Sequence, residues 1–221
     1  MKIPILLLDD AIIVCHKPID TLCEGESAIS LPRLLADELR ERGETNTSIF
    51  VVHRLDRTTE GVMVFARTAQ VAAVLSRAIA ERSTEKEYLA VVCGKPTEAR
   101  ATLTDLLFYD RTKGKSFVVR RERKGVKSAT LDYELLEYRE PYSLLRIRLH
   151  TGRTHQIRVQ FASRGFPLRG DRRYGAPPSD VPLLLCSHRL VFPHPITGKP
   201  MEFTVFPTEN GWDVFNTLKN Q

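Results

Sequence analysis

Two runs near the middle of the chain, Leu131 to Leu136 and Leu144 to Leu149, alternate apolar and polar residues, and a short polar stretch separates them. A repeat of every second residue belongs to a strand with one buried face. Further strands are expected at Ala11 to Cys15, Ile49 to Val52, Val62 to Ala66, Tyr88 to Cys93, Leu183 to Cys186, Arg189 to Phe192 and Met201 to Phe206. The first stops at Lys17-Pro18, because proline has no N–H to give a ladder. Helical periodicity is rarer. Ser30 is a candidate N-cap for a helix carrying Leu31, Leu34, Leu35 and Leu39 inward and ended by Gly43; Thr68 caps a second, with Val71, Leu75, Ala78 and Ile79 inward. Thr154 is the expected cap of a third, carrying Ile157 and Phe161 inward until Gly165 stops it. Strands in runs, joined by hairpin-length connections and irregularly interrupted by helices, point to an α+β fold with a mainly antiparallel mixed sheet.

The 221 residues, 42% of them hydrophobic, suffice for a substantial core, and with no Gly/Ser-rich or Pro-rich linker they read as a single domain, 1–221. The apolar run Ile3 to Leu8 is too short for a signal peptide, and no segment approaches membrane-spanning length. Cys15, Cys23, Cys93 and Cys186 form no C-x-x-C pair, which argues against a zinc site and against a disulfide framework. A reducing cytoplasm fits this cysteine usage. The net charge of +6 is concentrated: Arg111 to Lys127 holds eight Lys/Arg against one acid, and Arg146 to Arg173 holds eight Arg against one acid. Each stretch is +7, so the remainder carries 6 − 14 = −8. An acidic protein with two concentrated basic segments suits a polyanion, nucleic acid above all; the plain alternative is two solvated faces. Asp110 to Lys127, rich in charge and poor in periodicity, is expected to be an exposed hairpin or mobile loop and the least ordered part of the chain.

Between two of the expected strands lies H-R-L-D-R-T-T-E-G, His53 to Gly61, which sets Asp56 between two arginines in a loop closed by glycine. Alone, this would read as a salt-bridged turn. The segment resembles the signature H-R-L-D-x-x-T-S-G of the RluA family of RNA pseudouridine synthases, with Glu60 in place of the Ser. Further matches run through most of the chain: D-D-x-I-I-V-x-x-K-P ending at Pro18, K-x-Y at Lys86 to Tyr88, T-G-R-T-H-Q-I-R from Thr151 to Arg158, G-D-x-x-Y-G from Gly170 to Gly175, and H-P-x-T-G-K from His194 to Lys199. A second departure is Leu185-Cys186-Ser187, where many relatives read Leu-His-Ala.

The resemblance implies an isomerase with the pseudouridine synthase fold and a catalytic cleft across the sheet. The reaction breaks a uridine's glycosidic bond, turns the base and rejoins it through carbon 5, with no redox change, so it implies no cofactor and no metal. It assigns Asp56 as nucleophile and Arg158 as its fixed cationic partner, since a carboxylate in a pocket that expels water needs one and a guanidinium fork binds it bidentately. Tyr88 is assigned as the aromatic face for the flipped base, where stacking is worth about 1 to 3 kcal/mol. Arg54 is matched to an arginine that fills the gap the base leaves, while Arg57, Arg153, Arg172 and Arg173 are candidates for binding the RNA backbone. His53 and His155 are expected to organise loops. The substrate is expected to be a tRNA or rRNA stem-loop, bound by a monomer with no obligate protein partner and no membrane. A chain whose first motif begins at Asp9 resembles the short members without an N-terminal RNA-binding module.

Three other readings compete. A kinase-like catalytic loop lacks the glycine-rich loop, downstream Asn and D-F-G. A metal-dependent nuclease or phosphatase using His53, His150, His155, His188 and His194 has neither H-E-x-x-H nor a close carboxylate pair. The third alternative is an RNA-binding protein without catalysis, which would have no need of an Asp56 and Arg158 pair.

Overall fold

A computed structural model describes residues 2–25 and 27–218. The chain forms two compact units, one from Met1–Lys86 and Ser187–Pro207, the other from Glu87–Cys186 and Thr208–Gln221. The elements in chain order are β1 (Ile5–Leu8), β2 (Ile12–Lys17), α1 (Leu31–Glu41), β3 (Phe50–Val51), β4 (Glu60–Ala66), α2 (Ala69–Ala80), β5 (Glu85–Cys93), β6 (Arg100–Asp110), β7 (Lys115–Val119), β8 (Val126–Arg139), β9 (Tyr142–Leu149), α3 (Gln156–Ala162), β10 (Leu185–Pro193) and β11 (Pro200–Thr204). With antiparallel strands predominating and three α-helices beside them, this is the α+β class expected.

In the first unit the strand order is β1-β2-β4-β10, with β3 paired to β4 and β11 to β10. Every residue of β4 is buried, as is most of β2. Helix α1 lays Leu31, Leu35 and Leu39 on Ile13, Cys15, Met63 and Phe65 from these strands. Burying each such leucine stabilises by roughly 1.5 to 3 kcal/mol. The helix ends as expected at Gly43, whose φ of +78° lets its N–H reach Arg40 O while Glu44 N–H reaches Leu39 O. Thr68 caps α2, its Oγ1 accepting from Val71 N–H at 3.2 Å. Ser30 occupies the N-cap position of α1 but makes no side-chain cap bond.

The second unit orders its strands β5-β9-β8-β6-β7, every ladder antiparallel. Its core includes Leu107, Ala129, Val159 and Tyr174, and Phe161 on α3 meets Tyr133 edge-on at 5.3 Å. Three expectations change in the two units and one is resolved. Strand β6 was not expected, because Leu106-Leu107-Phe108 breaks its alternation. Of the two readings of the basic stretch the hairpin holds: β7 pairs with β6 from Lys115 to Val119, with residues 111–114 and 120–125 as the connections on either side. Two expected strands are one, β10, because His188 interrupts the apolar pattern without interrupting the strand; its Nδ1 bonds Val205 O at 2.7 Å. Thr154 does not cap α3. The N-cap position belongs to His155, in the left-handed region at φ 54°, and the Thr154 carbonyl accepts from Ser116 Oγ instead.

Candidate active site

Asp56 lies on the loop joining β3 to β4, and main-chain bonds fix this loop from several sides. The Lys17 side chain is fully buried at the end of β2, and its ammonium donates to the carbonyls of Pro18 at 3.0 Å, Arg57 at 3.0 Å and Thr59 at 2.7 Å. Burial pushes this amine down to about 8, against the opposing pull of Cys23, Asp56 and Asp20. The peptide before the nucleophile candidate is held by Cys23, whose Sγ receives Leu55 N–H at 3.3 Å and approaches Leu55 O at 3.2 Å. Thr59 N–H closes a turn on Asp56 O at 3.0 Å. At the loop's start His53 Nε2 accepts from Val64 N–H at 3.1 Å, and burial holds this imidazole well below its ordinary range, the Lys86 charge adding to the effect. His53 therefore organises the loop as a neutral ring.

Gly61 closes the loop for a steric reason. Its φ is +128°, and a Cβ there would stand 2.4 Å from Ser187 O. Backbone meets backbone, so only glycine fits. The two departures from the signature sit beside this contact without disturbing it. Glu60 is buried on β4 with His16 Nε2 at 3.6 Å, and Cys186 is fully buried on β10.

Arg54 and Arg57 flank Asp56 on the same loop, both well exposed, Arg54 paired with Glu24 and Arg57 with Asp20 at 3.2 Å. Exposed pairs contribute only about 0 to 1 kcal/mol, so either arginine is free energetically to exchange its carboxylate for a phosphate.

The remaining candidates belong to the second unit. Tyr88 is buried on β5 at 7% exposure. Arg158 is no helix-surface arginine: at 6% exposure it faces inward from α3, Nε and Nη2 donating to Asp171 at 2.7 and 2.8 Å, with its guanidinium 5.1 Å over the Tyr174 ring. Asp171, the single acid of that basic segment, was not singled out by sequence. Arg153 Nε donates to Ser128 O at 3.0 Å, and Arg172 Nη2 to Ser179 O at 3.2 Å. Arg173 Nη1 donates to Gly114 O at 2.6 Å, and Lys115 Nζ returns to Arg173 O at 2.6 Å. Arg173 thus borders the β6–β7 hairpin, while Arg153 lies against β8 and Arg172 against the loop at Ser179. His155 also organises its surroundings, Nδ1 sharing a hydrogen bond with Tyr174 Oη at 2.9 Å.

Asp56, Arg54 and Arg57 therefore share one loop of the first unit, while Tyr88, Arg153, Arg158, Arg172 and Arg173 share the second. Sequence reasoning missed Cys23, Asp171 and the anchoring role of Lys17, although Lys17 stands in the K-P motif. No group of three or more His, Cys, Asp or Glu able to hold a metal occurs among the described residues, and no helix among them is long and apolar enough to cross a membrane.

The sequence matches the family described as RNA pseudouridylate synthase over residues 11–163, and the chain belongs to that family, in its RluA branch. An uncharacterised RNA pseudouridine synthase of Aquifex aeolicus is 38% identical over 181 residues, covering 76% of this chain and 56% of that protein. The ribosomal large subunit pseudouridine synthase D of Pasteurella multocida is 32% identical, covering 92% of this chain and 67% of that one. The chain thus spans little more than half the length of the Aquifex relative. Among solved structures, human RNA pseudouridylate synthase domain containing 4 superposes with a TM-score of 0.78 at 22% identity, over 93% of this chain and 88% of that one. That likeness confirms the pseudouridine synthase fold.

Proposed function

We propose that this chain converts specific uridines in RNA to pseudouridine, with Asp56 as nucleophile and without cofactor or metal. The observation that carries this reading is the loop holding Asp56. Lys17, Cys23, His53 and the Asp56–Thr59 turn fix its backbone on all sides. Such fixing of a single carboxylate, in a family of RNA-modifying enzymes, fits nucleophilic catalysis, where a small misplacement of the reacting atom costs rate. Arg158 is proposed to serve Asp56 as cationic partner, and Tyr88 to stack on the flipped base. Arg54 is proposed to fill the gap left in the RNA, while Arg57, Arg153, Arg172 and Arg173 bind its backbone. The name of the Pasteurella relative favours a large-subunit rRNA over tRNA as substrate. A monomer acting in the cytoplasm completes the proposal.

The test is Asp56→Asn, nearly isosteric but uncharged. Purified protein incubated with rRNA and tRNA, followed by chemical mapping of pseudouridine, should give modification with the wild type and none with the variant, while RNA affinity and thermal unfolding stay close to wild type. Appreciable turnover by the variant would remove Asp56 from the chemistry. Binding without modification by the wild type on every RNA offered would favour the non-catalytic alternative.

A further inference from the structure

Lys86 stands on β5 between Glu85 and Glu87, and side chains alternate along a strand, so both flanking carboxylates point to the opposite face. Glu85 already pairs with Arg189 at 3.1 Å. The half-buried Lys86 shares its face with Tyr88, and beside it stands the ring of His53. That ring offers no lone pair. Its Nε2 accepts Val64 N–H, so in the neutral tautomer Nδ1 carries the proton. Among the described residues the Lys86 ammonium makes neither a hydrogen bond nor an ion pair, in contrast to Lys17, whose ammonium has three carbonyls. Burial pushes the Lys86 amine below its ordinary range.

A half-buried ammonium with no protein acceptor keeps its three donors for water or a ligand, and an anion makes the strongest use of them. We propose that Lys86 is a phosphate-binding residue that receives a backbone phosphodiester of the RNA at the start of the His53–Gly61 loop. An anion is favoured over a neutral carbonyl because only an anion offsets the desolvated charge. The inference rests on the proposed function for the identity of the polyanion, but its test reads binding rather than catalysis.

The experiment compares wild type, Lys86→Met, Lys86→Gln and Lys86→Arg, all in the Asp56→Asn background, for binding to a labelled RNA stem-loop with uridines in its loop, across a salt series. Removing one phosphate interaction should flatten the slope of log K against log salt by about 0.7 to 0.9 for Lys86→Met and Lys86→Gln, whereas Lys86→Arg should keep the wild-type slope. Lys86→Met should melt at or above the parent temperature, since it removes an ammonium that has no protein partner. An unchanged slope overturns the proposal, as does a melting temperature lowered by several degrees, which would reveal a structural partner. Inorganic phosphate competing at millimolar concentration and in a Lys86-dependent manner would make this a free-phosphate site and overturn the assignment to RNA. Failure of wild-type protein to modify any RNA, with the Lys86-dependent slope intact, would sink the proposed function and leave this site standing.

Discussion

Arg158 shows how burial changes the meaning of a residue type. In sequence it is one of eight arginines in its segment, and the T-G-R-T-H-Q-I-R motif alone distinguished it. Its neighbours in the chain are no guide to its partner, because Asp171 reaches it from beyond the end of α3. Breaking a buried pair from one side costs about 3 to 5 kcal/mol, so any substitution of Arg158 lowers stability whatever its part in the chemistry. The proposed role is separable by a second variant. Arg158→Lys and Asp171→Asn should both lower the melting temperature, but single-turnover modification should fall by orders of magnitude in Arg158→Lys and much less in Asp171→Asn. Equal losses in the two would confine Arg158 to holding the turn that carries Asp171. Asp56 itself was legible, since its motif is contiguous. The groups that fix its backbone were not, because Lys17 and Cys23 act on main-chain atoms some forty and thirty-two positions away.

Elements with their own local rules matched expectation best. Helices α1 and α2 begin and end near the positions that Ser30, Thr68 and Gly43 set, because caps and leucine periodicity act within a few residues. Strand β6 and the start of α3 depended on contacts distant in sequence. The short 3-10 turn Asn216–Leu218 is another such element, tied to β8 by Glu137, whose carboxylate accepts from Thr217 N–H at 2.9 Å and from Thr217 Oγ1 at 2.8 Å. Burial raises the Glu137 carboxyl, but these bonds and Arg139 outweigh it and bring the group down to about 2. A carboxyl lowered in the folded state adds stability above its unfolded value, ordinarily near 4.5, and that stability is lost as pH falls toward about 2. Glu137→Gln should therefore remove an acid-sensitive component between these limits and loosen the C-terminal turn. The chain has one tryptophan, Trp212, buried in the same segment. Its emission, followed from pH 6 to pH 2, should shift red in wild type and be flat, already red-shifted, in the variant. Superimposable titrations would show that Glu137 does not hold the turn.

Charge at the scale of the whole molecule was legible as an amount and a place in sequence, and the fold adds that both basic segments, 111–127 and 146–173, fall within the second unit, whereas Asp56 belongs to the first. The connection between β7 and β8 presents part of this charge to solvent: Arg120, Arg121, Arg123 and Lys124 are all exposed, and Arg123 rests 4.6 Å over the Phe108 ring. None of the four has an acid that would be left buried if it were replaced, so neutralising all of them should leave the melting temperature within a degree or two. Their effect belongs to binding. Each phosphate neutralised by the protein releases counterions and steepens the fall of log K with log salt by about 0.7 to 0.9. If all four side chains meet phosphates, the quadruple Arg120→Gln, Arg121→Gln, Arg123→Gln, Lys124→Gln variant should weaken binding at low salt and flatten the slope by about 3 to 4. At high salt its affinity should converge on that of wild type, because salt already screens the phosphate interactions that the variant cannot make. Modification measured at saturating RNA should change little, since none of these residues lies on the Asp56 loop. A parallel slope with unchanged affinity would mean that this turn is merely solvated, and that the RNA-binding charge resides in the arginines around α3.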